Sequence, residues 1–491
     1  MIVRTPHFRH FAASDRPPGT LPAHFAVIDV PGLFLCVHEA SDWHLERSGD
    51  DWVFLTGTAF HLEETVDMQA MAARLLRTAA PLDEMDLWVG AFAVLHHKDG
   101  RLHAYRDAAA GSKVYFRTLP NGTRWLGSEP QLSKHWAPLE PHVDQGLRSL
   151  HASEWWRKRE TFIAQATPFE GVTQVIANHR FDWDRRVAER VFPRADRQEM
   201  TPDAAIDFLL PRLRHVFRQA VATHRVHLAL TAGWDSRLAL AASGEVRSGL
   251  LVYTFQRKTM KDGSPDLTIP ARIARGEGFQ HDIIEPRPDI DLDTAAVIRE
   301  TFTFTNPNRF NHLLTLFPQY NPQDLVLVGT VSEVAKNYLE RVPFRNAREA
   351  VRAVHLVEHP WILAHYDRWI EESAPVIRQH GYRALDFMHW EQDVTNFAGK
   401  GMQNGGFASK HISPFNCVKV LEVLLSVNPE LRDHHQPRFY GQFIKRAWPE
   451  LMRYPVNPFL KEDAIRLAKR LRMYDTYKML DNRLRPRPFK G

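Results

Sequence analysis

At 491 residues the chain is too long for one ordinary hydrophobic core, so two domains are expected. Its 44% apolar and 25% charged residues, with no low-complexity tract, exclude long disorder. A formal charge of +5 over this length is mild, and the only two cysteines, Cys36 and Cys417, stand in no metal or redox spacing, which excludes a disulfide framework.

The first residues, "MIVRTPHFRHFAASDRPPG", lack an apolar stretch of signal-peptide length, and no run approaches the roughly 18 to 20 apolar residues of a transmembrane helix. A cytoplasmic protein is expected. Residues 1 to about 190 read as short strands: "FAVIDV", "LFLCVHEA", "DWVFLTGTAF", "LWVGAFAVLHH", "RLHAYRD", "KVYFRTL" and "TRWLGSE". Their short alternating pattern predicts antiparallel pairing, interrupted by one helix near "DMQAMAARLLRTA".

From about 200 the pattern changes. Thr201 and Pro202 read as N-cap and first helical position of "DAAIDFLLPRLRHVFRQAVATHR", kinked at Pro211. Apolar strands then alternate with helices: "VHLAL" before "SRLALAAS", "GLLVYTF" before "DLTIPARIARGEG", then "HDIIEP" and "DLVLVG". That order predicts a parallel sheet covered on both faces. After about 345 the chain reads as largely helical. The arginine-rich end, "RLAKRLRMYDTYKMLDNRLRPRPFKG", reads as a solvated helix face and tail.

The chemistry concentrates at the turn Leu230-Thr231-Ala232-Gly233-Trp234-Asp235-Ser236. A turn from a parallel strand into a helix is where ligands bind, because the first N–H groups of the helix are unpaired and carry its positive end. Gly233 lets backbone approach a phosphate, and Thr231 and Ser236 supply hydroxyls. Asp235 would repel polyphosphate unless a divalent cation lay between them, so it reads as a Mg²⁺ ligand. Trp234 is not expected in the core and reads as a wall of the nucleotide pocket.

This stretch resembles the Ser-Gly-Gly-x-Asp-Ser pyrophosphatase loop of asparagine-synthetase-like ATP-dependent ligases, with Thr231 keeping the hydroxyl and Ala232 replacing a glycine. The resemblance places Thr254 and Phe255 near adenine and Asp266 on the next helix. It matches "GTVSEVAKNYLE" to a Gly-x-x-Asp-Glu loop, with Gly329 and Glu333 kept, Ser332 in place of the Asp, and Glu333 as second metal ligand. Lys445 and Arg446 are the candidates for neutralising phosphate charge; Lys445 is taken as the catalytic one. Histidines His411, His434 and His435 show no metal spacing and read as packing or surface residues.

The front half resembles the glutamine-hydrolysing domain of the same family, through Gly90, Phe92, Arg106, Asp107, Gly111, Tyr115, Ser128 and Glu129. Its chemistry is expected to be missing: Ile2 stands where the family requires an N-terminal cysteine, and Thr56 where it has an oxyanion asparagine. Cys36 reads as a buried thiol.

The resemblance implies an α/β protein. An Ntn-hydrolase-like αββα sandwich, degenerate as a glutaminase, would span 1–195. An adenine-nucleotide α-hydrolase-like (PP-loop) synthetase domain with a helical end would span 196–491. It implies an ATP- and Mg²⁺-dependent, AMP-forming carbon–nitrogen ligase that activates a carboxylate as an acyl-adenylate, with Asp235, Ser236, Glu333 and Lys445 catalytic. Expected partners are a small-molecule or peptide carboxylate and an amine or ammonia, with no membrane, no nucleic acid and homodimerisation left open. β-Lactam-forming, peptide-cyclising and surface-polysaccharide relatives leave the substrate unselected. A nucleotide-binding pseudoenzyme and, more distantly, an RNA-modifying enzyme are the alternatives.

Overall fold

The computed structural model describes residues 5–158, 162–257, 260–285, 292–303, 313, 315, 319–339 and 344–489. Twelve strands before residue 191 form two antiparallel sheets. The first holds β1 (Phe11–Ser14), β2 (Phe25–Val30), β3 (Leu33–His38), β8 (Tyr115–Thr118), β9 (Arg124–Gly127) and β10 (Thr173–Gln174), in the order β10-β8-β9-β1-β3-β2. The second holds β4 (Trp43–Ser48), β5 (Asp51–His61), β6 (Trp88–Lys98), β7 (Arg101–Arg106), β11 (His179–Asp182) and β12 (Val187–Arg190), in the order β12-β11-β7-β6-β5-β4.

Side chains alternate across these strands and so feed different cores. Phe11, Ala13, Leu35, Phe54, Ala93, Leu95 and Leu126 meet between the sheets. Val53, Leu55, Phe92 and Val94 point the other way, onto helix α1 (Met68–Arg77), through its Met71, Ala72 and Leu75. Asp67 caps α1, its carboxylate accepting the Ala70 N–H at 2.7 Å. The expected strands and this helix are present. β1, β4, β10, β11 and β12 lie outside the strands read from the sequence; "FAAS" is a strand by pairing with β3 and β9, "WHLERS" by pairing with β5, and β10 by pairing with β8.

Helix α2 (Pro202–Thr223) opens as the sequence predicts: Thr201 Oγ1 accepts from Ala204 N at 3.2 Å, Pro202 is the first helical residue, and the helix runs on through Pro211. Behind it lies a five-stranded, wholly parallel sheet. It comprises β13 (Val226–Ala229), β14 (Leu250–Phe255), β15 (His281–Ile284), β16 (Leu325–Leu327) and β17 (Lys410–Ile412), in the order β15-β14-β13-β16-β17. Strand order reverses at β13, which pairs with β14 on one side and β16 on the other. That switch point is where open α/β sheets place ligands.

Helix α3 (Trp234–Ala242) follows β13, and α4 (Pro265–Glu277) follows β14. The remainder is largely helical and includes α5 (Arg438–Ala447), α6 (Leu460–Arg470) and α7 (Tyr474–Leu484). The fold is therefore α/β: a two-sheet antiparallel sandwich followed by a parallel sheet with crossover helices, the class expected from the sequence. Among the described residues, no helix is long and apolar enough to cross a membrane.

Candidate functional site

The turn between β13 and α3 lies at the switch point. Its hydroxyls hold it in shape. Thr231 N donates to Ser236 Oγ at 3.0 Å, and Gly233 N donates to Thr231 Oγ1 at 3.2 Å. Ala232 N donates to Asp266 Oδ1, at 3.1 Å, from the first turn of α4. Gly233 is the N-cap of α3, and no side chain caps the helix, which leaves its positive end available to an anion.

Asp235 points from the first turn of α3 to the loop after β16. Its Oδ1 accepts from Ser332 Oγ at 2.6 Å, and its Oδ2 pairs with Lys336 Nζ at 2.5 Å. The Lys336 side chain is buried while that of Asp235 stays part-exposed, so the pair sits at the edge of the core rather than inside it. The two loops touch closely: a Cβ at Gly329 would lie 2.6 Å from Ser236 N, so only glycine allows this approach. Val331 takes φ +80°, a region that β-branched residues avoid. Tyr440 of α5 holds the same loop by donating to Ser332 O at 2.6 Å.

Glu333 follows Ser332 and is buried, its Oε2 without a partner. Burial, reinforced by the negative charge of Asp235, pushes its carboxyl up to about 7. Two neighbouring carboxylates with one bare oxygen fit a hard cation that draws its other ligands from phosphate and water. No group of three or more His, Cys, Asp or Glu that could hold a metal by itself occurs among the described residues.

The predicted residues Thr231, Ala232, Gly233, Asp235 and Ser236 thus meet Gly329 and Glu333 in one place. Leu230 and Thr254 lie beneath them, with Thr254 Oγ1 donating to Leu230 O at 2.7 Å and also bonded to His281. Phe255 ends β14, partly buried. Trp234 corrects an expectation. It is buried in the core, its ring 3.9 Å from a Cβ built at Gly441, because the first turn of α3 packs on α5. Lys445 is exposed in the last turn of α5, and Arg446 beside it pairs with Asp207 at 2.8 Å.

Sequence reasoning missed Lys336, although it stands three residues beyond Glu333 in a loop already singled out. It missed Arg237 as well. That guanidinium is fully buried and donates to Tyr454 O at 2.7 Å and Pro455 O at 2.8 Å, fixing the segment that crosses the turn between β13 and α3. Asn457 N then donates to Ala232 O at 3.0 Å. His411 and His435 are buried and His434 is part-buried; His435 pairs with Glu462 at 2.7 Å.

In the front half, Thr56 is buried in β5 with its hydroxyl donating to Asp42 O at 3.1 Å. Cys36 is buried in β3, and burial pushes its thiol up to about 12, far from a thiolate nucleophile. Ile2 lies outside the described residues. A cavity of 90 Å³ remains beside Thr56, lined by Gly57 and Lys113 from the sandwich and by Gln403, Lys410 and His411 from the other half.

No family model matches the chain, and no curated protein matches it. Among solved structures, it is similar to the U34-tRNA thiolase NcsA from Methanococcus maripaludis with its [4Fe-4S] cluster. That likeness has 12% identity and a TM-score of 0.25, and covers 57% of this chain and 78% of the other. It is also similar to the allosteric regulatory enzyme of purine biosynthesis, at 8% identity and TM-score 0.24, covering 65% and 75%. A third is glutamine phosphoribosylpyrophosphate amidotransferase from B. subtilis complexed with ADP and GMP, at 9% identity and TM-score 0.21, again covering 65% and 75%. At such values the fold rests on the sheet topology above.

Proposed function

We propose that the chain is an ATP-dependent, AMP-forming amide ligase of the asparagine-synthetase-like kind, without glutaminase activity of its own. One observation carries this reading: Asp235, at the strand-to-helix turn, faces Lys336, Ser332 and the half-bare Glu333 across the switch point of a parallel sheet. A substrate carboxylate attacks the α-phosphorus of ATP and pyrophosphate leaves toward the positive end of α3. Ammonia or a substrate amine then attacks the acyl-adenylate and expels AMP.

Thr231, Gly233 and Ser236 would cradle the phosphates. Lys336 would neutralise charge on the departing pyrophosphate, a role the sequence had given to Lys445. Asp235 and Glu333 would hold Mg²⁺, which when bound supplies Lewis-acid charge to the phosphates. The synthetase unit would begin near residue 196, and the sandwich, with a threonine in place of the oxyanion asparagine and a buried Cys36, would serve as a platform.

A nucleotide-free scaffold is the second reading. It is favoured by the turn's own satisfaction: Asp266 already accepts the Ala232 N–H that a phosphate would use. Calorimetric titration of Mg·ATP and of AMP into the wild type and Asp235→Asn separates the two. Binding that the substitution weakens supports the ligase, to be followed by pyrophosphate exchange over a panel of carboxylic acids. No binding at millimolar nucleotide overturns it.

A further inference from the structure

Helices α6 and α7 are built inside out. In α6 the residues Leu460, Ala464, Leu467 and Leu471 recur at i, i+4, i+7 and i+11, which puts them on one stripe, and all four are exposed. The same spacing returns in α7 and the turn before it, with Met473, Tyr477, Leu480 and Leu484, again all exposed. The seven large apolar side chains among these are between 46% and 90% exposed.

The face that α6 turns to the protein is the charged one. Glu462 bonds His435 at 2.7 Å, Arg466 donates to Val456 O at 3.0 Å, and Lys469 pairs with Asp433 at 2.6 Å. Tyr474, the first residue of α7, is buried. Helix α6 is thus fastened by its polar side, and α6 and α7 each present an apolar row to solvent. Such contiguous exposed apolar surface marks an interaction site rather than scattered surface leucines.

Charge identifies the occupant. Residues 460–491 carry ten Lys or Arg against four Asp or Glu, whereas residues 1–459 carry 53 against 54. The whole positive excess of the chain therefore lies on this one element. Exposed Lys461 and Arg470 flank the stripe of α6, and exposed Arg472 and Arg485 bracket α7.

We infer that α6 and α7 dock the protein in plane on an anionic phospholipid surface. Leucine, methionine and tyrosine would enter the headgroup boundary while the flanking cations meet lipid phosphates. A second copy would set one basic element against another, and a nucleic acid would leave both apolar rows in water. The sequence had suggested no membrane partner, because it was searched for spanning segments and these helices have 11 residues each. Asn457, which bonds Ala232 of the candidate phosphate turn, stands three residues before the start of α6, so docking would hold the candidate site close to the bilayer.

The test is flotation of the full chain with phosphatidylcholine vesicles, with and without phosphatidylglycerol. The wild type should partition about tenfold more onto the anionic vesicles, and added salt should reduce this. The double variant Leu467→Glu/Leu480→Glu should lose about tenfold in partition while keeping the wild-type unfolding midpoint, since both residues are exposed. Arg470→Glu/Arg472→Glu should abolish the preference for phosphatidylglycerol. Wild type that stays in solution, or a stripe variant that floats equally well, overturns the inference. So does a concentration-dependent dimer in sedimentation velocity that Leu467→Glu/Leu480→Glu disperses, which would assign the rows to a second copy.

Discussion

Two aspartates show how the halves of this molecule differ. Asp107, in the sandwich, is fully buried and accepts from Phe92 N, Gly111 N, Ser112 N and Asn416 Nδ2, the last reaching across from the other half. Burial pushes its carboxyl up, and those donors oppose the push. Every oxygen is spoken for, which is the signature of a structural carboxylate. Asp235 also has two good partners, but it stays part-exposed, and its neighbour Glu333 keeps an oxygen with none. On the proposed reading, the fully satisfied Asp107 is scaffold, whereas Asp235, part-exposed beside the half-bare Glu333, is where chemistry would occur.

Asp107→Ala should break the first half of that contrast most severely. It strands three N–H groups and an amide in the core and should lower the unfolding free energy by about 3–5 kcal/mol in a urea titration. Glu333→Gln comes next. Because the carboxyl is raised to about 7, the folded state holds its proton more tightly than the unfolded state. The stability this confers is full below the ordinary carboxylate range and is lost as pH rises through about 7. The variant should match the wild type at low pH and exceed it above pH 7 by up to about 3 kcal/mol, measured by unfolding across pH.

Asp235→Asn should weaken Mg·ATP roughly 10- to 100-fold by calorimetry while changing stability by less than about 1 kcal/mol, the reverse of Asp107. Equal losses of stability at both aspartates would collapse the distinction between them. Lys445→Ala should change nucleotide affinity less than about twofold, since the side chain is an exposed helix residue, whereas Lys336→Met should weaken it about tenfold.

Much of the parallel half was legible in the sequence, because buried parallel strands and their crossover helices leave strong local patterns. The N-cap at Thr201, the turn at residues 231–236 and the pairing of Gly329 with Glu333 fall where they were read. β17 escaped because three residues, Lys410–Ile412, carry no periodicity; they are a strand only because β16 lies beside them. Trp234 was misjudged for a related reason: a turn residue looks solvent-facing until the helix that packs on it is known.

The sequence by itself determined the fold class and the place of the turn, both of which depend on residues near one another in the chain. Only the tertiary structure decided that Lys336 reaches Asp235 across 101 positions, that Glu333 keeps a bare oxygen, and that α6 turns its charged face inward. Those outcomes depend on which surfaces meet, and desolvation at such a meeting is set by distant segments that no local pattern encodes.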